Sequence, residues 1–373
     1  MTGKTFVTGA IAALLALLAV GCGGGGDDGG NGAGGEGGEQ VKVAWVLIGP
    51  PGDGGWNYQH DLGRQAVEEE FGDQVETTVV ENVPESPGEA TRVIRSLAQQ
   101  GNDIIFTTSF GYMDPTLNVA QQFPNVKFEH CSGFKAADNM ANYFGAMEEA
   151  RYLSGIVAGR KTKKNVIGYV AAFPIPEVVR GINTFTLGVR SANPQAKVKV
   201  VWTSTWFDPS KERAAAESLL DAGADVLTQH QDSPATGQAA QARGAFWVGY
   251  DSDMRRFAPK AFLTAPVWDW GPYYIERVKA VLDDTWKSHS YYGDMADGLI
   301  KLAPPSDLVD EKTKADVAEQ EDAIKADELE VLAGPITDQG GTVRVAEGET
   351  MSLEDALAWD WFVEGVEGSI PKQ

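Results

Sequence analysis

A regular alternation of short apolar runs and amphipathic segments begins at Val41, and it is the feature that most restricts the possible folds. One series opens with VKVAWVLIG, and a second opens with NVIGYVAAF at Asn165. Runs rich in β-branched residues that alternate with helical patterns predict βαβ units, which assemble into parallel sheets. The sequence therefore predicts an α/β fold with two doubly wound parallel-sheet lobes.

A basic, polar run at residues 159–165 separates the two series. We therefore expect a first lobe over residues 41–160 and a second over residues 161–270, with about 271–290 completing the first and part of 291–371 completing the second. The helical patterns cover about residues 65–71, 88–100, 115–123, 147–161, 177–191, 209–222, 236–243 and 273–287. AFLTAPVWD, at residues 261–269, is predicted as the last strand of the second series.

The first forty residues differ from the rest in composition. Residues 1–21 carry one charge, Lys4, before an apolar run and small residues, which is the form of a signal peptide. Ala19-Val20-Gly21-Cys22 resembles the lipobox of bacterial lipoproteins, which implies a diacylglycerol on Cys22; an ordinary secretory signal with an incidental cysteine is the alternative. Residues 22–40 are rich in Gly and read as a flexible tether. We expect a lipid-anchored protein on the periplasmic or extracellular side of the cell membrane.

Cysteine content and charge exclude some classes. The chain has two cysteines, Cys22 and Cys131, so lipidation of the first would leave no disulfide framework. Its formal net charge is −22, which argues against a nucleic-acid partner because phosphate backbones require a basic surface.

Loops after the predicted strands carry aromatic, carboxylate and amide side chains. Ligands of open parallel sheets bind outside the carboxyl ends of the strands, so we expect these loops to border a cleft that closes on a planar, hydrogen-bonding ligand. The candidate residues are Asp53, Trp56, Asn57, Phe110, Trp206, Phe207, Asp232, Asp251 and Trp268. Trp45, Trp202 and Trp247 lie inside strands and are interpreted as packing residues. Asp114 and Asp208, each followed by Pro, are equally compatible with helix N-caps.

The sequence gives little support for phosphate binding, metal binding or catalysis. GPPGDGGW lacks the Lys-Ser/Thr of a phosphate loop and the spacing of a dinucleotide-binding motif. The four His residues are scattered, and Glu129, His130 and Cys131 are consecutive in a strand, so their side chains cannot all converge. We predict no metal, no cofactor and no enzymatic activity.

Several segments resemble the basic membrane protein family, the substrate-binding lipoproteins of ABC importers that bind purine nucleosides. The resemblance covers about residues 41–280, and its motifs are DGGWN, TTSFGYMDP, FPNVKFEHCSG, EEARYLSGIVAG, IGYVAAFPIPEVVRGINTFTLGVRSANP, TWFDPSKERAAAESLLDAGADVL and VGYDSDM. It implies a type I periplasmic-binding fold with a hinge, a central cleft and an ABC permease as partner. It also implies a purine held between Trp56 and Trp206, with Asn57 beside the first aromatic and Asp251 at a ribose-contacting position.

Three segments depart from the family pattern. Residues 47–50 lack an acidic residue that contacts the purine edge, so Asp53 or another group would replace it. A glycine-rich turn is replaced by residues 229–232, and residues 265–268 have Trp268 but lack a Lys that reaches the sugar. An indole there would fill the space of ribose, so we expect a free purine nucleobase to bind more tightly than its nucleoside.

These features favour a solute-binding lipoprotein that delivers a purine nucleobase or nucleoside to an ABC permease. A sensory receptor on the same fold, which signals to a membrane partner, is the first alternative. A nucleoside-processing enzyme is the second.

Overall fold

The computed structural model describes residues 40–372. The expected signal peptide, Cys22 and the tether, apart from Gln40, lie outside the described residues. Among residues 40–372, none of the helices combines the length and hydrophobicity that a membrane span requires.

The strands within this part of the chain are short. In chain order they are β1 (Val41–Val46), β2 (Val75–Val80), β3 (Ile104–Thr107), β4 (Lys127–Cys131), β5 (Met140–Gly145), β6 (Val166–Ala171), β7 (Lys197–Trp202), β8 (Val226–Gln229), β9 (Phe246–Trp247), β10 (Pro266–Trp268), β11 (Ser290–Gly293), β12 (Ile300–Leu302), β13 (Ile336–Thr337), β14 (Val343–Val345) and β15 (Val366–Glu367).

The α-helices alternate with most of these strands. They are α1 (Trp56–Phe71), α2 (Pro87–Gln99), α3 (Met113–Ala120), α4 (Met147–Lys161), α5 (Pro176–Ala192), α6 (Pro209–Asp221), α7 (Ala235–Ala242), α8 (Gly271–Leu282), α9 (Glu311–Lys325) and α10 (Leu353–Leu357).

Two parallel sheets organise the described chain. The first sheet has the order β11-β5-β4-β3-β1-β2 and the second has the order β15-β7-β6-β8-β9, and the pairings within both are parallel. The predicted α/β class with two parallel sheets is therefore confirmed. The strand order reverses between β1 and β3 in the first sheet and between β6 and β8 in the second. Loops diverge at such points and leave a crevice at the carboxyl ends of the strands.

Both faces of the central strands are buried, which explains their almost continuous apolar sequences. In β1, Val43 and Trp45 pack in the cluster that contains residues of α1 and α8, whereas Ala44 and Val46 pack in the cluster of α2 and α3. In the second sheet, Tyr169 faces the cluster that includes α4 and α5. Successive side chains of a strand point to opposite faces, so each sheet is covered by helices on both sides.

Helices α4 and α5 pack unusually closely through glycine. A Cβ atom on Gly155 would overlap the backbone of Phe185, and a Cβ atom on Gly188 would overlap the backbone of Tyr152. This contact places α4, which precedes the second sheet in the sequence, directly against the helical layer of that sheet.

Several elements differ from the sequence prediction: α9, α10 and β12–β15 were not predicted, and three other strands also differ. The strand predicted at residues 261–269 is divided in two: residues 261–264 run parallel to β9 and exchange backbone hydrogen bonds with it and with Gly249, whereas β10 pairs antiparallel with β12, outside both large sheets. β5 was not predicted, since its sequence MANYFG has no β-branched residue, although all six of its side chains are buried. β11 was not predicted either; it returns from after α8 to pair with β5.

Candidate functional site

A cavity with about 350 Å³ of empty space, part of which is open to solvent, lies at the carboxyl ends of strands from both sheets. Its walls come from the loops after β1, β3 and β4 of the first sheet and after β6, β7, β8 and β9 of the second. The residues that line it are Ile48, Trp56, Ser109, Phe110, Ser132, Glu177, Trp206, His230, Asp232, Tyr250 and Asp251. The structure thus brings together five of the candidates from the sequence, namely Trp56, Phe110, Trp206, Asp232 and Asp251.

Trp56 is held rigidly on the side of the first sheet. It is the first residue of α1 rather than a loop residue, and only 9% of its surface is exposed. Its indole Nε1 donates a hydrogen bond to the carbonyl oxygen of Thr108 at 2.7 Å. The ring also meets His60 edge-on, with the ring centroids 4.4 Å apart.

Trp268 lies behind Trp56 and does not line the cavity. It is fully buried and stacks on Trp270 with centroids 4.6 Å apart and planes at 12°, and its ring meets Trp56 edge-on at 5.7 Å. Trp268 therefore supports the wall that Trp56 forms. The sequence interpretation, in which its indole occupies ligand space, has no counterpart in this geometry.

Trp206 is held loosely by comparison. It is half-buried in the loop after β7, and it leans on Phe173 with centroids 5.1 Å apart. Its Nε1 donates to Glu85 Oε2 at 3.2 Å. Glu85 follows β2 of the first sheet, and its other oxygen accepts from Ser109 Oγ at 2.6 Å and from Gly111 N at 2.7 Å. A single carboxylate thus joins the two sides of the cavity.

Two further contacts cross between the sheets. Ser252, after β9, donates from its hydroxyl to the carbonyl oxygen of Gly54, after β1. The neighbouring Gly55 lies so near Asp232 that a Cβ atom at position 55 would overlap the backbone of Asp232. The loops of the two sheets are therefore in direct contact around the cavity.

Asp53 and Asn57 are occupied by the loop that contains them. The Asp53 carboxylate accepts from the backbone N–H groups of Gly55, Asn57 and Tyr58 at 2.8–3.0 Å and from Asn57 Nδ2 at 2.7 Å. The Asn57 Oδ1 accepts from Gly49 N at 3.1 Å. Burial raises the pKa of Asp53, and these hydrogen bonds oppose that rise. Neither residue lines the cavity.

Three other sequence candidates also lie away from the cavity. Phe207 is half-buried and is not among the lining residues. Asp208 is the N-cap of α6 and accepts from Ser210 N and Lys211 N, so the N-cap interpretation is confirmed for it. That interpretation is wrong for Asp114, which lies inside α3 and pairs with Lys135 Nζ at 2.5 Å.

Asp251 and Asp232 are the carboxyl groups of the cavity that lack hydrogen-bond partners within the described residues, and the buried Nδ1 of His230 lacks one as well. Both Oδ atoms of Asp251 and Oδ2 of Asp232 are buried and accept no hydrogen bond from residues 40–372. The indole N–H of Trp268 approaches Asp251 without reaching hydrogen-bond geometry. Burial raises the pKa of both carboxyls well above their usual range, and the proximity of Asp251 adds to the rise at Asp232. Buried acceptors of this kind require donors, which a ligand can supply.

The remaining polar lining was missed by the sequence analysis. Burial raises the pKa of Glu177 to about 7, and its Oε1 lies 3.5 Å from His230 Nε2. The Tyr250 hydroxyl lies 3.2 Å from the same His230 nitrogen. Burial lowers the pKa of His230 well below its usual value, so its ring is neutral. Glu177 is the second residue of α5, just past the loop that follows β6, so applying the strand-end rule to that loop and the start of α5 would have found it.

A buried arginine lies beneath this polar group. The Arg151 guanidinium is 3.6 Å from the ring centroid of Tyr250, and its Nη1 donates to the carbonyl oxygen of Gln229 at 2.9 Å. Its positive charge opposes the rise in the pKa of Asp251. Within the described residues, no group of three or more His, Cys, Asp or Glu side chains is placed to hold a metal ion.

Two parallel sheets whose carboxyl ends share one cavity are the arrangement of the periplasmic-binding fold, and the solved structures with this fold include solute-binding proteins. A solute-binding protein of an ABC transporter system from Conexibacter woesei DSM 14684 is 25% identical, with a TM-score of 0.63, and the match covers 78% of this chain and 97% of that one. A solute-binding protein of an ABC transporter system from Aeropyrum pernix K1 has the same fold, with a TM-score of 0.68 at 19% identity over 80% of this chain and 93% of that one.

The chain belongs to the family described as ABC transporter substrate-binding protein PnrA-like, whose model matches residues 40–332. A purine-binding protein of Brucella abortus (strain 2308) is 49% identical over 89% of this chain and 95% of its own length. TsgA13 of Haloferax volcanii, provisionally named an ABC transporter glucose-binding protein, is 41% identical over 89% of this chain and 81% of its own length. The resemblance found in the sequence is confirmed.

Membership in this family defines the general role of the chain. It is an extracytoplasmic substrate-binding protein of an ABC transporter rather than an enzyme, with a small-molecule ligand and permease subunits as partners.

Proposed function

We propose that the chain binds a purine in the cavity between the two sheets and delivers it to the permease of an ABC importer. The observation that carries this proposal is the pair of buried, unpartnered carboxylates, Asp232 and Asp251, in a cavity whose walls include Trp56, Phe110 and Trp206. Aromatic faces favour a flat ring, and the carboxylates favour ring or exocyclic N–H donors. A purine has both features, and the 49% identical relative is named a purine-binding protein.

In the proposed site, Trp56 and Trp206 contact the two faces of the base, with Phe110 at one edge. Asp251 and Asp232 accept hydrogen bonds from its N–H groups. Asp53 and Asn57 act indirectly, by fixing the loop that leads into α1, and Trp268 supports Trp56 from behind. Phe207 would not contact the ligand and would act only as the sequence neighbour of Trp206.

We further propose that a nucleobase binds more tightly than its nucleoside. The lining residues include neither Lys nor Arg, and residues 265–268 do not supply the sugar-reaching Lys of the family pattern. A ribose would therefore add hydroxyl groups with few partners, and each unpaired buried group disfavours binding by about 1–3 kcal/mol.

Calorimetric titration of the protein with adenine, guanine, adenosine, guanosine and glucose tests both proposals. We expect at least one purine to bind and the base to bind more tightly than its nucleoside. Tighter binding of a nucleoside than of its base would refute the base preference alone. Binding of glucose without any purine would refute the purine proposal and favour the function named for the Haloferax relative.

The lobes and the anchor complete the proposal. Residues 41–160 with about 271–290 would form one lobe, and residues 161–270 with part of 291–371 the other, which agrees with the pairing of β15 with β7. Cys22 would carry the lipid, and residues 22–40 would tether the lobes to the membrane. Expression of Cys22→Ser in a bacterial host followed by membrane fractionation tests the anchor; unchanged partition into membranes would contradict it.

A further inference from the structure

A second, larger opening adjoins the cavity and is called here the side groove. It has about 1110 Å³ of empty space, and three residues, Phe110, Ser132 and Glu177, line both it and the cavity. Asp232 and Asp251 line the cavity only. The part of a ligand that donates to these carboxylates is therefore different from the part that would extend past Ser132 and Glu177 into the side groove.

The side groove is largely apolar, although it is open to solvent. Five large apolar side chains are exposed within residues 40–372, and three of them line it: Phe134, Leu353 and Leu357, which are 70%, 45% and 43% exposed. Such a concentration of exposed apolar surface is typical of a binding surface. It comes from both sides of the cleft, since Phe134 follows β4 whereas Leu353 and Leu357 lie on α10.

The charged residue at the base of the side groove already has partners. Arg180 is buried, its Nε lies 3.3 Å from Glu148 Oε2, and its Nη1 donates to the carbonyl oxygen of Ala356 at 3.2 Å. The Tyr292 hydroxyl donates to the same Glu148 carboxylate at 3.0 Å. Because these charges are paired with each other, the side groove has no free cation to attract an anionic group.

We propose that the side groove is an extension subsite that receives an apolar or aromatic substituent of the bound base. This inference rests on the proposed purine function. The ligands would then be substituted purines. The donor edge of the base would face Asp232 and Asp251, and the substituent would extend past the three residues that line both spaces.

Titration with three compounds tests this assignment: adenine, N6-benzyladenine and 9-benzyladenine. The two isomers carry the same ring on the two nitrogens of adenine that can donate, so each isomer leaves one donor edge unsubstituted for the carboxylates and places the ring on the other. We expect one isomer to bind about tenfold more tightly than adenine, because a buried phenyl ring removes apolar area from water. In Leu353→Ser and Leu357→Ser, that gain should shrink by at least about threefold while adenine affinity stays unchanged.

Leu62→Ser is the matched control, since Leu62 is 38% exposed on α1 and does not line the side groove. Unchanged adenine binding also reports that each variant is folded. Weaker binding of both isomers than of adenine would overturn the inference while leaving the purine function intact. Variants that bind all three compounds normally but lower uptake through the permease would also overturn it, because the side groove would then contact the permease. Failure of adenine itself to bind would refute both proposals.

Discussion

Trp56 and Trp206 line the same cavity from opposite sheets, but the structure holds them in different ways. Trp56 is enclosed by His60, Trp268 and Trp270 and donates to the backbone of Thr108. Trp206 projects from a loop, and its indole nitrogen is bound only to Glu85 of the other side. The Trp56 wall therefore rests on a cluster of buried rings, whereas the Trp206 wall is completed by a hydrogen bond from the other side of the cavity.

The two sides also differ in their chemistry. Behind Trp56, stacked and edge-on rings continue through His60 and Tyr274 to Trp45 and Phe106, which stack with centroids 5.0 Å apart. The second side instead carries carboxylates, and the buried Arg151 of α4, a helix that packs on α5, lies beneath them. The first side can provide a rigid surface without a ligand, while the second has polar groups that a ligand would complete.

The strongest test of this difference is the stability of two alanine variants. Trp56→Ala removes a buried indole from an aromatic cluster, so we expect the free energy of unfolding to fall by about 3–5 kcal/mol. Trp206→Ala removes a half-buried loop side chain, and we expect a fall of about 1 kcal/mol or less. Urea unfolding of the unliganded proteins measures both. Equal losses would show that the two tryptophans are held alike.

Asp251→Asn tests the polar side. The N–H donors of a bound base would favour the ionised carboxylate of Asp251, which Asn cannot provide. We therefore expect binding of adenine to weaken by about tenfold to a hundredfold, because hydrogen bonds to charged groups contribute about 1.5–3 kcal/mol. The same change should leave the unliganded protein at least as stable, since it removes an unpartnered buried carboxylate. Asn tolerates the positive φ of 65° at this position.

Calorimetry and thermal unfolding measure these two effects of Asp251→Asn. Asp114→Asn, a change on the surface of α3, is the control. A loss of both affinity and stability would indicate that Asp251 supports the fold and not the ligand.

Trp206→Phe isolates the contact between lobes. Phe keeps an aromatic face for the ligand but cannot donate to Glu85, so we expect affinity to fall by about fivefold to tenfold, the value of one hydrogen bond. The control is Trp202→Phe, which removes a similar bond, from Trp202 Nε1 to the carbonyl oxygen of Ser369 at 3.0 Å, outside the cavity. If calorimetry gave the same small change for both variants, the bond to Glu85 would have no special role in closure.

The pH dependence of stability should differ between the two sides. Burial raises the pKa of Glu177 to about 7, so the folded protein retains a proton that the unfolded chain loses above about pH 4.5. The free energy of unfolding should therefore decline as pH rises from about 4.5 to 7, by less than the limit of about 1.4 kcal/mol per pH unit for one proton.

On the first side, His60 should make stability depend on pH in the opposite direction. Burial lowers its pKa well below 6.5, so its contribution to stability is lost as pH falls below that value. Glu177→Gln should make the decline between pH 4.5 and 7 in urea unfolding shallower without removing it, because burial also raises the pKa of Asp232 and of Asp251. An unchanged pH profile in this variant would show that Glu177 is ionised in the unliganded protein.

Much of the fold was predictable because most of the central strands are rich in β-branched residues. β1, β6 and β7 were found from such runs, whereas β5 was missed because MANYFG resembles neither a strand nor a helix. β11 depends on a pairing between residues 290–293 and the distant β5, which no local pattern reveals.

The site was predictable only in part. Reading the strand-end loops found Trp56, Trp206 and Asp251, which the structure brings to one cavity. It could not distinguish them from Asp53, because short acidic side chains in a loop before a helix commonly bind neighbouring backbone N–H groups. Nor could it place Trp268, whose position behind Trp56 depends on packing between elements distant in the sequence.

The backbone contact at Gly55 has a consequence for the range of motion of the protein. Because a single methyl group at this position would overlap the backbone of Asp232, the hydrogen side chain of Gly55 sets the limit to which the lobes can approach. Gly55→Ala would therefore hold the two lobes apart. The aromatic and acidic walls would keep their own structures, but the lobes could not approach to the distance seen here. Such a variant would be a permanently open form, and in small-angle scattering it would give the reference dimensions against which any ligand-driven closure could be judged.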